Sequence, residues 1–473
     1  RMNFEQVTDY LSWFDWVDYV ARALFPASAT LVRRIDAVVT LALLTGCWEQ
    51  KSMLITRSEL SSALVAEGIY VEGIDAFRPQ APAARDLALA ASLSRLDAAG
   101  QVVLDGEGVY PVDALRAEVA AASGLVVGRT ASPPPEPVVL ARACAPVGQG
   151  DVNLTDEQKA AVRGAFSAPV SAITGLPGTG KTTVLRAIVR AARADGRRVV
   201  VVAPTGIAAK RASVAAGVPA ATVHRAFGFR DGTWTRSREL GTPVDADLLV
   251  VDEASMLSTD LLAACALGVP QDAVLLFVGD PEQIPSVAPG DAFRALLASG
   301  VPRAHFTTVH RQAASSGIIR LAHDISGGGV LPPITSYGSD VTYHLPEWGD
   351  LRAVTQAIES QLRTSDTQVI CPNNIGYWGA TRLNQVVSRI LNPGPRLSVG
   401  NKEFRAGDRV VFAKNDYRLE VYNGDVGVIR DIDAHGAVVD VGGKVDPVEL
   451  DKGALADLLE LAYALTVYKA QGA

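Results

Sequence analysis

Residues 175–182 read Gly-Leu-Pro-Gly-Thr-Gly-Lys-Thr and follow the short apolar run Val170 to Ile173. This spacing, G-x-x-x-x-G-K-[ST], constrains the chain more than any other feature, because it calls for a strand, a tight glycine-rich loop and a helix in that order. Gly175, Gly178 and Gly180 let backbone N–H groups wrap a phosphate, with Pro177 and Thr179 filling out the loop. Lys181 supplies a point charge toward the outer phosphates of a nucleotide, and Thr182 offers a hydroxyl to Mg2+. The helix predicted from Thr183 to Arg193 aims the positive end of its dipole at the same place.

A second apolar run, Leu248 to Val251, delivers Asp252 and Glu253 to the end of another strand. Carboxylates at such an edge need a cation or a donor, and Mg2+ with ATP provides the first. Asp252 is the expected metal partner. Glu253 is the expected base that polarises an attacking water. A third run, Val274 to Val278, ends in Gly279-Asp-Pro-Glu-Gln283, where the Gln283 amide is either a sensor that hydrogen-bonds phosphate or water, or an ordinary polar loop residue.

Alternation of such strands (with Arg198 to Ala203) and helical stretches predicts a parallel sheet covered on both faces, an α/β architecture beginning near Asn153. At 473 residues the chain exceeds what one core serves, so further domains are expected. An N-terminal helical segment spans 1–30, where Trp13, Phe14, Trp16, Tyr19 and Phe25 read as core residues. Helices at 35–44, 58–67 and 84–98, then strands at 101–104 and 108–110 around an Asp105-Gly106 turn, predict a winged-helix-like domain over 31–128. No basic recognition helix is visible there, so this unit either binds DNA or serves as a packing or partner module. The proline-rich stretch Thr130 to Pro137 can continue neither a helix nor a central strand and marks a linker over 129–150. The first α/β domain follows at 151–325. A second occupies 326–400 and 455–473, with the strand Gln368 to Cys371, and is interrupted at 401–454 by short strands with turn signals that predict a small β-barrel.

Composition excludes several alternatives. Charged residues at 20% and hydrophobic ones at 48% describe a globular chain, and its apolar runs are too short for a bilayer. No membrane partner and a cytoplasmic location are expected. Cys47, Cys144, Cys265 and Cys371 are too scattered for a zinc site or disulfide framework. The net charge of -7 argues against a general basic coat for nucleic acid but leaves room for a local track of backbone and hydroxyl donors.

Taken in order, these segments resemble the motifs of superfamily 1 helicases, and within them the RecD-like group that moves 5′ to 3′. The resemblance covers about residues 154–473 and implies two RecA-like motor domains that close on ATP and translocate single-stranded DNA in repair or recombination. It implies that Gln158, in Leu154-Thr-Asp-Glu-Gln158, reads adenine. It gives Pro204, Thr205 and Gly206, then Thr222 and His224, to the single strand. Arg311, in Val309-His-Arg-Gln312, is implied to reach the γ-phosphate. Thr466 and Tyr468 belong to a segment that couples strand contact to nucleotide state, although the family usually has histidine where Tyr468 stands. A hairpin near 227–240 resembles the pin that meets the junction of single- and double-stranded DNA, and Trp234 near its tip either stacks on a base or packs the hairpin on its own domain. A protein partner through the N-terminal region is compatible with this family.

The chain stops at Ala473, before a sixth motif whose arginine completes the γ-phosphate site in the family, and it starts at Arg1 without a methionine. A chain lacking that finger is expected to bind nucleotide and hydrolyse it poorly, which defines a second reading as a nucleotide-gated DNA-binding module. A third, the helicase segment of a conjugative relaxase, would need an N-terminal histidine cluster, and residues 1–150 contain no histidine.

Overall fold

A computed structural model of the chain describes Val39, Leu43 and residues 54–66, 82–130, 132–146, 153–176, 178–230, 233–288, 290–307, 316–328, 330–342, 351–364, 367–376, 378–414, 416, 418–419, 421, 424–442 and 446–471. The N-terminal aromatic residues, Cys47, Pro177 and Arg311 lie outside these. The chain divides into two compact units, one comprising residues 1–175, 183–204 and 223–306, the other 176–182, 205–222 and 307–473. Among the described residues no helix is long and apolar enough to cross a membrane.

The first unit opens with β1 (Ile55–Thr56), α1 (Arg57–Ala66), α2 (Pro82–Ala98), β2 (Val102–Asp105), β3 (Gly108–Pro111) and α3 (Val112–Val126). The three strands form an antiparallel sheet in the order β1-β3-β2. Asp105 pairs with Gly108, so the two-residue turn falls on Gly106 and Glu107, with Gly106 at φ 57°, one position later than the sequence suggested. The proline-rich stretch does not hang free. Ser132 Oγ donates to Asp272 O at 2.6 Å, Thr130 N donates to Gln271 O at 3.3 Å, and the Arg197 guanidinium bonds Pro133 O. Helix α4 (Pro137–Ala143) starts on a proline, whose missing N–H costs nothing in a first turn.

The α/β part of this unit comprises α5 (Asp156–Gly164), β4 (Val170–Gly175), α6 (Lys181–Ala194, in this unit from Thr183), β5 (Val199–Ala203) and, from residue 223, α8 (Val223–Phe227), β7 (Phe229–Arg230), β8 (Thr233–Trp234), β9 (Leu248–Val251), α9 (Thr259–Leu267), β10 (Val274–Gly279), α10 (Ala292–Ala298) and β11 (Arg303–Phe306). Five strands run parallel in the order β11-β4-β10-β9-β5. Every residue of β4, β9 and β10 is buried, which is why these strands read as unbroken apolar runs instead of alternating ones. Phe277, Leu249 and Leu275 sit at full burial in the core, each contributing roughly 1.5–3 kcal/mol. Chain order reverses around β4, so the crevice for a ligand lies at the carboxyl edge beside it.

At the opposite edge an ion pair joins the starts of β5 and β9. The Asp247 carboxylate accepts from Arg198 N at 2.7 Å, Nε at 2.9 Å and Nη2 at 2.6 Å. These hydrogen bonds hold its carboxyl down to about 2, from an ordinary value near 3.8. A depressed folded value means the stabilisation is complete above the unfolded value and is lost as pH falls from about 4 through 2. Asp247→Asn is therefore expected to cost about 1 kcal/mol at pH 7 after solvent screening, and only a small fraction of that at pH 2. Melting temperatures at the two pH values check this, and equal losses at both would refute it.

The second unit contains residues 176–182, α7 (Gly206–Ala216), β6 (Ala220–Thr222), α11 (Gly317–Ser326), α12 (Leu351–Thr364), β12 (Val369–Cys371), α13 (Ala380–Leu391), β13 (Arg396–Val399), β14 (Lys402–Arg405), β15 (Arg409–Phe412), β16 (Val426–Ile432), β17 (Gly436–Val441), β18 (Val448–Asp451), α14 (Lys452–Leu458), β19 (Leu459–Leu461), β20 (Ala464–Thr466) and α15 (Val467–Ala470). An antiparallel sheet in the order β18-β17-β16-β15-β19 encloses Phe404, Phe412, Ile429 and Val439. Its alternating burial is that of strands covered on one face. The β structure extends beyond 401–454 on both sides, because the β13–β14 hairpin spans position 400 and β19 lies at 459–461. Where the chain leaves this sheet, buried Asp408 accepts from Ser388 Oγ at 3.0 Å, Asn392 Nδ2 at 2.8 Å and Tyr463 OH at 3.0 Å. Beyond Tyr463, β20 pairs in parallel with β12.

Candidate nucleotide and nucleic-acid site

The loop after β4 is shaped by its glycines. Gly178 at φ 79° and Gly180 at φ 87° occupy the left-handed region, which a side chain would oppose. Buried Thr179 braces the loop by donating to Leu176 O at 2.8 Å, and Lys181 Nζ donates to the same carbonyl at 3.1 Å. Lys181 opens a 14-residue helix, and Thr182 and Thr183 stand exposed in its first turn. Left-handed glycines, a lysine and an exposed hydroxyl at a helix N-terminus fit the phosphates of a nucleotide.

At the end of β9 the backbone does something the sequence did not show. Glu253 sits at φ 52°, ψ 42°, the sole non-glycine with positive φ among the described residues. Its N–H donates to Asp252 Oδ1 at 3.0 Å, and its carbonyl accepts from Met256 N at 3.0 Å to close the 3-10 turn Ala254–Met256. A left-handed glutamate costs about 1–2 kcal/mol, and such strain gathers at functional positions. Asp252 is tied to the neighbouring strand through its N–H and Val202 O at 2.9 Å.

Beside them, β10 ends at Gly279, where a Cβ would lie 2.9 Å from Phe293 and 3.0 Å from Ser255 N. Asp280, buried, accepts from Glu282 N at 3.0 Å, and Gln283 N donates to Asp280 O at 3.1 Å. Arg294 was missed by sequence reasoning. Its Nε and Nη2 fork onto Pro281 O at 2.8 and 2.6 Å and so hold the Gln283 loop from α10. Asp291, which caps α10 and pairs with Arg294 at 3.4 Å, was the available signal, as an acidic cap three residues before an arginine.

The remaining candidates divide by unit. Gln158 is buried in a capping box, its Oε1 accepting from Thr155 N at 3.0 Å, so it has a structural duty at the start of α5. In the second unit Thr205 and Thr466 are both helix caps, accepting from Ala208 N at 3.2 Å and Lys469 N at 3.3 Å. A capping hydroxyl keeps its own proton to donate. Pro204 precedes Thr205 in the first unit, Gly206 is the first residue of α7, and Thr222 ends β6. Tyr468 is half-buried on α15, with burial raising its hydroxyl.

In the first unit His224 and Trp234 stack at 5.5 Å and 23°, with Phe229 at 4.7 Å from Trp234. The paired strands β7 and β8 have two residues each, and Thr235 N to Gly228 O and Arg236 N to Phe227 O, both at 3.1 Å, continue the hairpin, while the half-buried indole packs against the core of its own unit.

Among the described residues no cluster of three or more His, Cys, Asp or Glu could hold a metal. Asp252 and Thr182 each carry the hard oxygen donor that Mg2+ prefers. Cys144, Cys265 and Cys371 are buried free thiols, pushed up by burial and so unreactive.

A parallel sheet with this loop and carboxylate pair defines a nucleotide-binding P-loop protein of the RecA-like class. Comparison is consistent and narrower. Residues 153–340 match the AAA domain family, and residues 383–442 match the SH3 domain of ATP-dependent RecD-like DNA helicases. The chain is 35% identical over 376 residues to the ATP-dependent RecD2 DNA helicase of Deinococcus radiodurans, covering 79% of this chain and 51% of that protein. It is 30% identical over 364 residues to the RecBCD enzyme subunit RecD of Mycolicibacterium smegmatis, covering 67% and 64%. The conjugal transfer protein TraA of Rhizobium radiobacter matches at 30% over 333 residues, covering 68% of this chain and 30% of TraA. A solved structure of Bacteroides Pif1 bound to ssDNA aligns with 68% of this chain and 84% of its own at 18% identity, with a TM-score of 0.41. The chain is thus similar to RecD-like helicases over most of its length. It spans about half the length of the RecD2 relative.

Proposed function

We propose that this chain is the motor of an ATP-dependent DNA helicase that moves 5′ to 3′ along single-stranded DNA, acting in the cytoplasm in repair or recombination. The left-handed Glu253, placed one residue after Asp252 at the end of a fully buried strand, is the observation that carries this reading. Strain held at a carboxylate is explained by a need to aim it. Glu253 accepts the proton of the attacking water, Lys181 and the loop N–H groups hold the phosphates, and Gln283 reports the state of the outer phosphate. Asp252 and Thr182 hold Mg2+, which when bound neutralises charge on the phosphates. Arg311 supplies a further charge, and Gln158 reads the base.

The likeness to RecD-like helicases supports giving the strand to Pro204, Thr205, Gly206, Thr222, His224, Thr466 and Tyr468, and supports a role for the β7–β8 hairpin at the junction. The order β1-α1-α2-β2-β3 with β1 paired to β3 supports a winged-helix module ahead of the motor, suited to a protein partner. The experiment is hydrolysis and unwinding by the full-length protein. Hydrolysis is expected to rise at least tenfold with single-stranded DNA, and duplexes with a 5′ tail should open in preference to those with a 3′ tail. Hydrolysis indifferent to DNA would refute the reading.

A further inference from the structure

The β7–β8 hairpin is too short to hold itself, since even longer isolated hairpins are marginal in water. Its rigidity has to come from its base. There, Thr235 N donates to Gly228 O at 3.1 Å, Arg236 N to Phe227 O at 3.1 Å, and Arg238 N to Leu267 O at 2.9 Å. Leu267 is the last residue of α9, the helix that follows Glu253 and its 3-10 turn. Gly268, just past it, is pressed so close to Phe227 that a Cβ would lie 2.2 Å from the ring. The hairpin base is thus seated on the C-terminal end of α9.

Two arginines close this seat. Arg238 Nη2 donates to Ala266 O and to Gly124 O, both at 3.3 Å, bridging the C-terminal ends of α9 and α3. Arg129 Nε donates to the same Gly124 O at 2.7 Å, its Nη1 to Ala273 O at 3.0 Å and Pro270 O at 3.3 Å, and its Nη2 to Ala266 O. Two helix C-termini concentrate partial negative charge at this point, which two cations complement. Burial, and secondarily the neighbouring Arg238, hold the Arg129 guanidinium down to about 10. Arg238 Nη1 is buried without a hydrogen-bond partner among the described residues. A stability-optimised site would not keep an orphaned donor and two like charges together, so position is the better explanation.

We propose that Arg238, backed by Arg129, is a positioning residue that locks the β7–β8 hairpin to α9, so that the Glu253 strand end and the hairpin move as one body. The proposal rests on the helicase reading. In the full-length protein, Arg238→Met is expected to slow unwinding of a forked duplex about tenfold, while DNA-stimulated hydrolysis stays within about twofold. Amide exchange at Thr235 and Arg236 should quicken. Arg238→Lys keeps the charge without the fork and is expected to recover unwinding to within about threefold of wild type. It also reads the split should the methionine variant not fold. Unchanged unwinding, or hydrolysis falling in step with it, would overturn the proposal. Failure of the helicase reading looks different, because the wild-type protein would then show no DNA-stimulated hydrolysis.

Discussion

Glu253→Gln is expected to lower DNA-stimulated ATP hydrolysis by about 10²–10⁴-fold, the range a positioned general base contributes. Nucleotide affinity should stay within about threefold, because the amide keeps the shape and the backbone of the carboxylate it replaces. The left-handed backbone at this position allows a second, independent measurement. Glu253→Gly removes the steric cost and is expected to raise stability by about 1 kcal/mol while abolishing turnover. Opposite movement of stability and activity is the signature of strain held for chemistry. Single-turnover hydrolysis and thermal melting on the two variants provide the check, and a glutamine variant that hydrolyses normally would remove Glu253 from the mechanism.

Lys181→Ala is the second large effect. Its ammonium group contacts Leu176 O at 3.1 Å within the loop. On the proposed reading that charge turns to the outer phosphates when nucleotide binds, where a charged hydrogen bond is worth about 1.5–3 kcal/mol. Affinity is therefore expected to drop roughly 10–100-fold and hydrolysis to fall to background. Melting temperature without nucleotide should change little, since Leu176 O keeps the hydroxyl of Thr179 as a donor. Arginine is no substitute, because its planar fork cannot act as a compact point charge. Calorimetric titration with a slowly hydrolysed ATP analogue measures the affinity, and wild-type binding by the alanine variant would contradict the site.

Strand positions were legible because burial on both faces forces unbroken apolar sequence. The runs ending at Ile173, Val251 and Val278 agree with β4, β9 and β10 to within two residues. Residues after those runs were legible for a related reason, since parallel strands present their carboxyl ends together and chemistry collects there. Asp231-Gly232 announces a turn, but a turn signal says nothing of how far pairing continues on either side of it. Trp234 was left between two roles. Its stacking on His224, ten residues earlier, is a packing contact that no sequence pattern announces.

Legible in the sequence alone were the nucleotide loop, the carboxylate pair that follows β9 and the likeness to RecD-like helicases, since each depends on residue types at short spacing or beside a buried run. Only the tertiary structure decided the conformation of Glu253, the hold of Arg294 on the Gln283 loop and the seating of the hairpin by Arg238 and Arg129. A side chain's dihedral environment and its partners 114 to 144 residues away are set by packing. Sequence pattern carries period and composition, and neither encodes which distant carbonyl a guanidinium will meet.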